Sequence, residues 1–268
     1  MQIRKPHVAG SFYPSNASEI GRFCSAHLAP FESKIKARAV ILPHAGYIYS
    51  GALACKVLSQ VEIPSKVLLI GPNHRGYGSD FALDANAQWE TPLGRVPVDG
   101  ETSAALLESS QNLRKDADAH AFEHSLEVLV PLLQACEAPF KMVPLIVGTL
   151  DQKASRQAAE EMGKVLAGRK ESLLVAVSSD MSHYEPEDVT RAKDRYALDA
   201  ILNLDEAALL QAVKKYKITM CGVMPVYMML VMKESLGIRK ATLVGYSTSG
   251  DVTGDRERVV GYAGFIFE

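Results

Sequence analysis

Short, unbroken apolar runs alternate with amphipathic stretches along this chain. Residues 39–42, 66–70, 140–147 and 172–177 are runs of strand length, rich in Val, Ile and Leu. Such runs, without in–out alternation, are expected of strands covered on both faces. Between them, residues 16–29, 50–60, 152–168, 189–202 and 205–215 carry apolar positions at helical spacing. Asn16 or Ser18 is placed to cap the first helix, and Asp99 or Thr102 to open another that runs to about Glu108. Residues 118–135 are the most amphipathic long stretch, with Phe122, Leu126, Leu129, Leu132 and Leu133 on one helical face and either a kink or a break expected at Pro131. A Met-rich helix is expected over 221–236, then strands at 241–246 and 258–267. Residues 81–98, punctuated by Trp89, Pro92, Gly94 and Pro97, read as a small β insertion. The alternation predicts an α/β fold: a single domain over 1–268, with a mostly parallel central sheet covered by helices on both faces.

Composition narrows the function. The 268 residues are 47% hydrophobic with a formal net charge of −2, so nothing electrostatic favours nucleic acid or an anionic membrane. The four cysteines show no metal-finger spacing and no disulfide framework, and the first residues do not resemble a signal peptide. No apolar run is long enough to span a bilayer. The expectation is a soluble, cytoplasmic protein. Walker A, GxGxxG, HExxH and GxSxG patterns are all absent, which removes the usual support for nucleotide-cofactor and serine-hydrolase chemistry.

Candidate chemistry gathers just past the apolar runs. His44 follows the run at 39–42, His74 the run at 66–70, and Asp180 and His183 the run at 172–177. Ligands of open α/β sheets sit outside the carboxyl ends of the strands, so parallel strands would bring these groups together. Two imidazoles and a carboxylate suit non-haem Fe(II), with positions left open for substrate and oxygen. Cys221, just before a helix, is a further ligand candidate, and a helix N-terminus is expected to lower its thiol pKa. His120 and His124 have i, i+4 spacing, with Glu123 and Glu127 flanking them. Of these, His120 is read as solvent-facing and His124 as an acid/base at the pocket mouth. The turn after His7, residues 9–14, is placed to fold over the site. Cys24, Cys55, Cys136 and the methionines between 220 and 232 are assigned to packing.

Six segments, taken in order, resemble one family. They are Arg4-Lys-Pro-His-Val-Ala-Gly-Ser-Phe-Tyr-Pro14, Pro43-His-Ala-Gly-Tyr-Ile-Tyr-Ser-Gly51, Gly71-Pro-Asn-His74, Glu123-His-Ser-Leu-Glu127, Ser178-Ser-Asp-Met-Ser-His-Tyr184 and Cys221-Gly222. They resemble the Memo family, whose prokaryotic members are called AmmeMemoRadiSam system protein B. The resemblance implies a fold similar to class III extradiol dioxygenases. It implies a pocket of His44, His74 and Cys221, with Asp180 and His183 beside it. It links eukaryotic relatives to iron, copper, redox chemistry and motility signalling, and implies AMMECR-domain and radical SAM proteins as partners. The dioxygenases hold iron with two histidines and a glutamate; here Cys221, or Asp180 in its place, would be the third ligand. A thiolate shifts metal preference toward softer ions, so the fold alone does not license ring cleavage.

The leading expectation is thus a metal-dependent redox protein. His44, His74 and Cys221 would hold Fe(II), or else copper or zinc, and His183, His124 and Asp180 would do the acid/base work on a small-molecule substrate. A binding module for a peptide or partner protein, and a zinc-dependent hydrolase, are the alternatives.

Overall fold

The computed structural model describes residues 2–31, 33–136, 138–168 and 173–268; Ser172, expected to begin a strand, lies outside them. In chain order the elements are β1 (Ile3–Arg4), α1 (Ala17–His27), β2 (Ala39–Leu42), α2 (Ala52–Leu58), β3 (Lys66–Pro72), β4 (Phe81–Leu83), β5 (Gln88–Thr91), β6 (Gly94–Pro97), α3 (Gly100–Ser109) and β7 (Arg114–Lys115). There follow α4 (Asp118–Ala121), α5 (Leu129–Gln134), β8 (Lys141–Val147), α6 (Gln152–Ala167), β9 (Leu173–Ser178), β10 (His183–Glu185), α7 (Glu187–Leu202) and α8 (Glu206–Tyr216). The chain ends with α9 (Val223–Val231), α10 (Lys233–Leu236), β11 (Ala241–Thr248), α11 (Gly250–Thr253) and β12 (Val259–Phe267).

Among the described residues, nine strands form one sheet in the order β10-β12-β2-β9-β3-β8-β4-β7, with β11 also on β12. Its centre, β2-β9-β3-β8, is parallel, and β12 and β4 add on either side antiparallel. Strands β2 and β3 are buried along their whole length. Successive side chains serve opposite faces: Ile41, Leu68, Ile70 and Val177 join the core under α3 and α6–α9, while Val40, Leu42, Leu69 and Ala176 join the core under α1, α2 and α5. Each fully buried Leu or Ile stabilises by roughly 1.5–3 kcal/mol. The Met-rich helix α9 packs wholly into the first core, as expected from its composition.

Local signals act where the sequence puts them. Asn16 Oδ1 accepts from the Glu19 N–H to start α1, and Asp99 caps α3 through the Thr102 N–H. The β excursion divides: β4 joins the main sheet, while β5 and β6 form a hairpin that pairs with β1 in a separate three-stranded sheet.

Two expectations fail here. The stretch 118–135 is not one helix but α4, an irregular run, and α5. Buried side chains replace the helical ladder in that run. Arg4 donates to the His120 and Glu123 carbonyls at 2.7 Å each, and the Glu123 carboxylate accepts from the His124 and Ser125 N–H groups. Pro131 does not kink α5; it lies in the first turn, where a missing N–H costs nothing. His120 is not solvent-facing but fully buried, with Nε2 2.9 Å from the Ala82 carbonyl and its ring edge-on to Trp89. No helix among the described residues is long and apolar enough to cross a membrane.

Candidate metal centre

The carboxyl ends of β2, β3 and β9 do converge. Leu42 pairs with Ser178 and Ile70 with Val177, so the segments beyond them open into one cavity of about 840 Å³. His44, His74, His124, Asp180, His183 and Cys221 all line it. Cys221 arrives from the other side of the sheet, at the start of α9. Gly222 makes that approach feasible: a Cβ there would lie 2.4 Å from the Ser179 side chain and 2.5 Å from the Ser178 carbonyl.

One nitrogen or sulfur each from His44, His74 and Cys221 lies within 4.8 Å of the others. His44 Nε2 is 3.4 Å from Cys221 Sγ. The hydrogen-bond network sets which imidazole nitrogen is free. Ser178 Oγ donates its one proton to the Ser125 carbonyl at 2.7 Å, so at 2.6 Å from His44 Nδ1 it must accept. His44 therefore carries its proton on Nδ1 and presents the Nε2 lone pair to the cavity. Glu123 does the same for His74, its Oε1 accepting from Nδ1–H at 2.9 Å and its Oε2 from the His74 backbone N–H at 2.5 Å. Outer partners that fix tautomer and orientation in this way are the usual support of metal-binding histidines.

The electrostatics agree. Burial opposes ionisation of Glu123, but the His74 hydrogen bond and neighbouring donors outweigh it and hold its pKa at about 2, so it only accepts. Burial, helped by the surrounding histidines, pushes His44 well below the usual imidazole range and keeps it neutral. Burial also lowers His183, and lowers His124 to about 4. The expected depression of the Cys221 thiol is not found: burial first, and then Asp180, push it up despite donation from the Asp180 N–H at 3.3 Å. A bound cation would reverse that, because a coordinating thiol is deprotonated outright. The donor set, two imidazoles and a thiol, fits a borderline or soft transition ion.

Asp180 is engaged as an acceptor, its Oδ1 2.8 Å from the His44 N–H, and its Oδ2 lies 4.0 Å from His44 Nε2. Burial raises its pKa to about 7. A folded-state pKa above the unfolded value of about 3.9 adds stability at low pH that is lost as pH rises. Metal-free wild-type protein should therefore lose stability relative to Asp180→Asn between about pH 4 and pH 7. Denaturant melts of both proteins across that range check this; parallel curves would place the carboxyl in water.

His183 accepts nothing at Nδ1: that nitrogen faces the Thr219 carbonyl at 3.0 Å and so carries the proton, leaving Nε2 free as a base. The His124 ring lies 4.5 Å from His74 and 4.7 Å from Phe12, and its buried Nδ1 has no hydrogen-bond partner. Ser11 and Phe12 line the cavity, so the early turn does fold over the site, tied to the His44 loop by the Tyr47 N–H to the Phe12 carbonyl. His7 itself is outside, edge-on to Phe122. Sequence reasoning left Ser178, Ser125 and Thr219 without roles and treated Glu123 as a flanking residue. The signals for Glu123, Ser125 and Ser178 were their place in the family-like segments and their nearness to His124 and Asp180; Thr219 had none.

The MEMO1 family protein of Aquifex aeolicus is 42% identical over 270 residues, covering 100% of both chains. That of Ignicoccus hospitalis is 39% identical, covering 100% of this chain and 99% of its own. Among solved structures, uncharacterized protein JW3007 of Escherichia coli K12 shares the fold, with a TM-score of 0.55 at 15% identity over 85% of this chain and 98% of that one. A family model described as Memo-like protein matches residues 4–266, and the chain belongs to the Memo family.

Proposed function

We propose that this protein is a metal-dependent redox protein acting on a small organic molecule in a reducing compartment such as the cytoplasm. His44, His74 and Cys221 hold the ion in this reading, Fe(II) in first place and copper or zinc as alternatives. One observation carries it: ligand atoms of His44, His74 and Cys221 lie within 4.8 Å of one another, with His44 Nε2 3.4 Å from the Cys221 sulfur. Cys221 is favoured over Asp180 as third ligand because Asp180 already accepts from the His44 backbone.

When bound, the ion would supply Lewis acidity and electron transfer. The chain's own groups do the rest. Neutral His183, with Nε2 free, accepts a proton from the substrate. His124, also neutral, exchanges protons on the opposite wall, and Asp180, protonatable near neutrality, does so beside His44. Phe12, Tyr49 and Tyr262 line the cavity and keep water from part of it.

Protein purified without chelators should carry transition metal near one ion per chain, and anaerobically loaded protein should take up oxygen with an added reductant. Metal-free protein from metal-replete cells that fails to bind on titration would end this reading. Metal without oxygen uptake would move it to zinc-type hydrolysis.

A second reading has its own observation. Tyr49 and Tyr184 line the cavity yet are 37% and 65% exposed, and Ile48 beside them is 69% exposed. An apolar rim suits a module that binds a peptide or partner protein. Turnover of any substrate counts against it.

A further inference from the structure

The short strand β10 pairs with β12 at His183–Val260 and at Glu185–Val259, and the register slips between them, so Tyr184 stands unpaired in a bulge. Its backbone is left-handed, with φ 62°. The other non-glycine residues with positive φ among the described residues, Leu204 and Lys217, follow the ends of α7 and α8, where that conformation commonly closes the last turn. Away from a helix end a tyrosine adopts it rarely and at a cost, and bulges beside a site re-aim side chains. Tyr184 lines the cavity of the candidate metal centre, its ring edge-on to His183 with centres 5.8 Å apart. The Arg258 guanidinium lies over that ring, 5.6 Å from its centre. Arg258 is exposed, and among the described residues it is the only Lys or Arg lining this cavity. Nearby acids are already taken. Arg256 pairs with Glu187 and with Asp251, and Asp255 Oδ1 turns back to accept from the Glu257 N–H at 2.8 Å. Among the described residues, no carboxylate comes within ion-pair reach of Arg258 and no acceptor takes its N–H groups.

We propose that Arg258, backed by the Tyr184 ring, holds the carboxylate of a small organic acid in this cavity, with the carbon skeleton directed toward His44, His74 and Cys221. Calling that acid the substrate rests on the metal-dependent function proposed above; the carboxylate site itself does not. A guanidinium presents paired N–H donors that match the two coplanar oxygens of a carboxylate, and the aromatic face beside it holds the fork in place. The bulge is what brings that face to the cavity, which gives the left-handed tyrosine a use. One guanidinium calls for one negative charge. A phosphate monoester carries more near neutral pH and would need a second cation that this wall lacks. Phe12, Tyr49 and Tyr262 line the remaining walls and suit an apolar skeleton rather than a further charge.

The test titrates benzoate into metal-free protein, where it has no ion to ligate, and follows heat and the ring resonances of isotope-labelled histidine. Wild type should bind benzoate, less tightly as salt rises, and the His183 resonances should move. Benzamide, which has the same shape without the charge, should bind roughly tenfold or more weakly. Arg258→Met should lose roughly tenfold or more in benzoate affinity, and Arg258→Lys should keep part of it, because the charge stays and the fork goes. Both replace an exposed side chain, so both should melt and take up Zn(II) as wild type does. Tyr184→Gly relieves the left-handed backbone and removes the ring, so it should weaken benzoate without lowering Tm. Absent benzoate binding, equal affinity in Arg258→Met, benzamide as tight as benzoate, or phenyl phosphate tighter than benzoate would each overturn the proposal. Failed metal titration with Arg258-dependent benzoate binding intact would end only the metal reading. Normal metal uptake without benzoate binding would end only the carboxylate site.

Discussion

Replacing His44 with alanine is expected to lower transition-metal affinity by more than the roughly 10–100-fold that losing an outer partner of a ligand costs. The reason is geometric. His44 Nε2 lies 3.4 Å from Cys221 Sγ, and burial holds its pKa well below the usual imidazole range. Asp180 Oδ2 is 4.0 Å from that nitrogen, and Asp180 Oδ1 is already engaged by the His44 backbone N–H. Two graded variants sharpen the result. Glu123→Gln keeps the shape but replaces an acceptor-only carboxylate that fixes His74, and Ser178→Ala removes the acceptor that fixes His44. Each should cost about 10–100-fold in affinity without changing the number of ligands. Titration with Fe(II) or Zn(II), read by competition with a chromogenic chelator, orders the series. Unchanged affinity in His44→Ala would remove His44 from the centre, and an outer-partner loss as large as the His44 loss would mean that Glu123 or Ser178 acts on the fold rather than on the ligand.

The part of this centre that was legible in the sequence is the part set by strand physics. A fully apolar run followed by a polar residue marks a buried parallel strand and its end. His44, His74, Asp180 and His183 were found that way, and they line one cavity. Capping chemistry was equally local, as at Asn16 and Asp99. What was not legible depends on partners far along the chain. The run 122–128 keeps helical hydrophobic spacing, yet Arg4 and the Glu123 carboxylate take up its backbone groups, so no helix is needed. His120 is buried because Ala82 and Trp89 meet it, and neither is near in sequence. The Cys221 thiol is raised because the position that gives it a helix N-terminus also buries it beside Asp180. Local rules predict the dipole; only the fold reveals the desolvation that outweighs it.

The largest stability effect is expected at Glu127, which local sequence patterns mark only as a flanking acid. Its carboxylate is 1% exposed and meets Arg4, 2% exposed, at 2.8 Å. It also accepts from the backbone N–H groups of His7 and Val8 and from the Tyr13 hydroxyl, each at 2.9 Å. Glu127→Ala leaves a buried guanidinium and these donors without their acceptor. Breaking one side of a buried pair costs about 3–5 kcal/mol, far more than the pair itself contributes. Denaturant melts should show that loss in the midpoint. Arg4→Met combined with Glu127→Leu should recover much of it, because the uncompensated charge is gone as well. The damage should reach the candidate metal centre by a definite route. Arg4 also holds the carbonyls of His120 and Glu123, and the turn anchored by Glu127 carries Phe12 onto the His124 ring. Glu127→Ala should therefore weaken metal binding through His74 as it destabilises the fold, whereas the double variant should regain stability faster than affinity, since it restores packing but not the charge that orders the 120–127 backbone. A Glu127→Ala protein within about 1 kcal/mol of wild type would show that water replaces the carboxylate, and that the arm over the site is held by its apolar contacts alone.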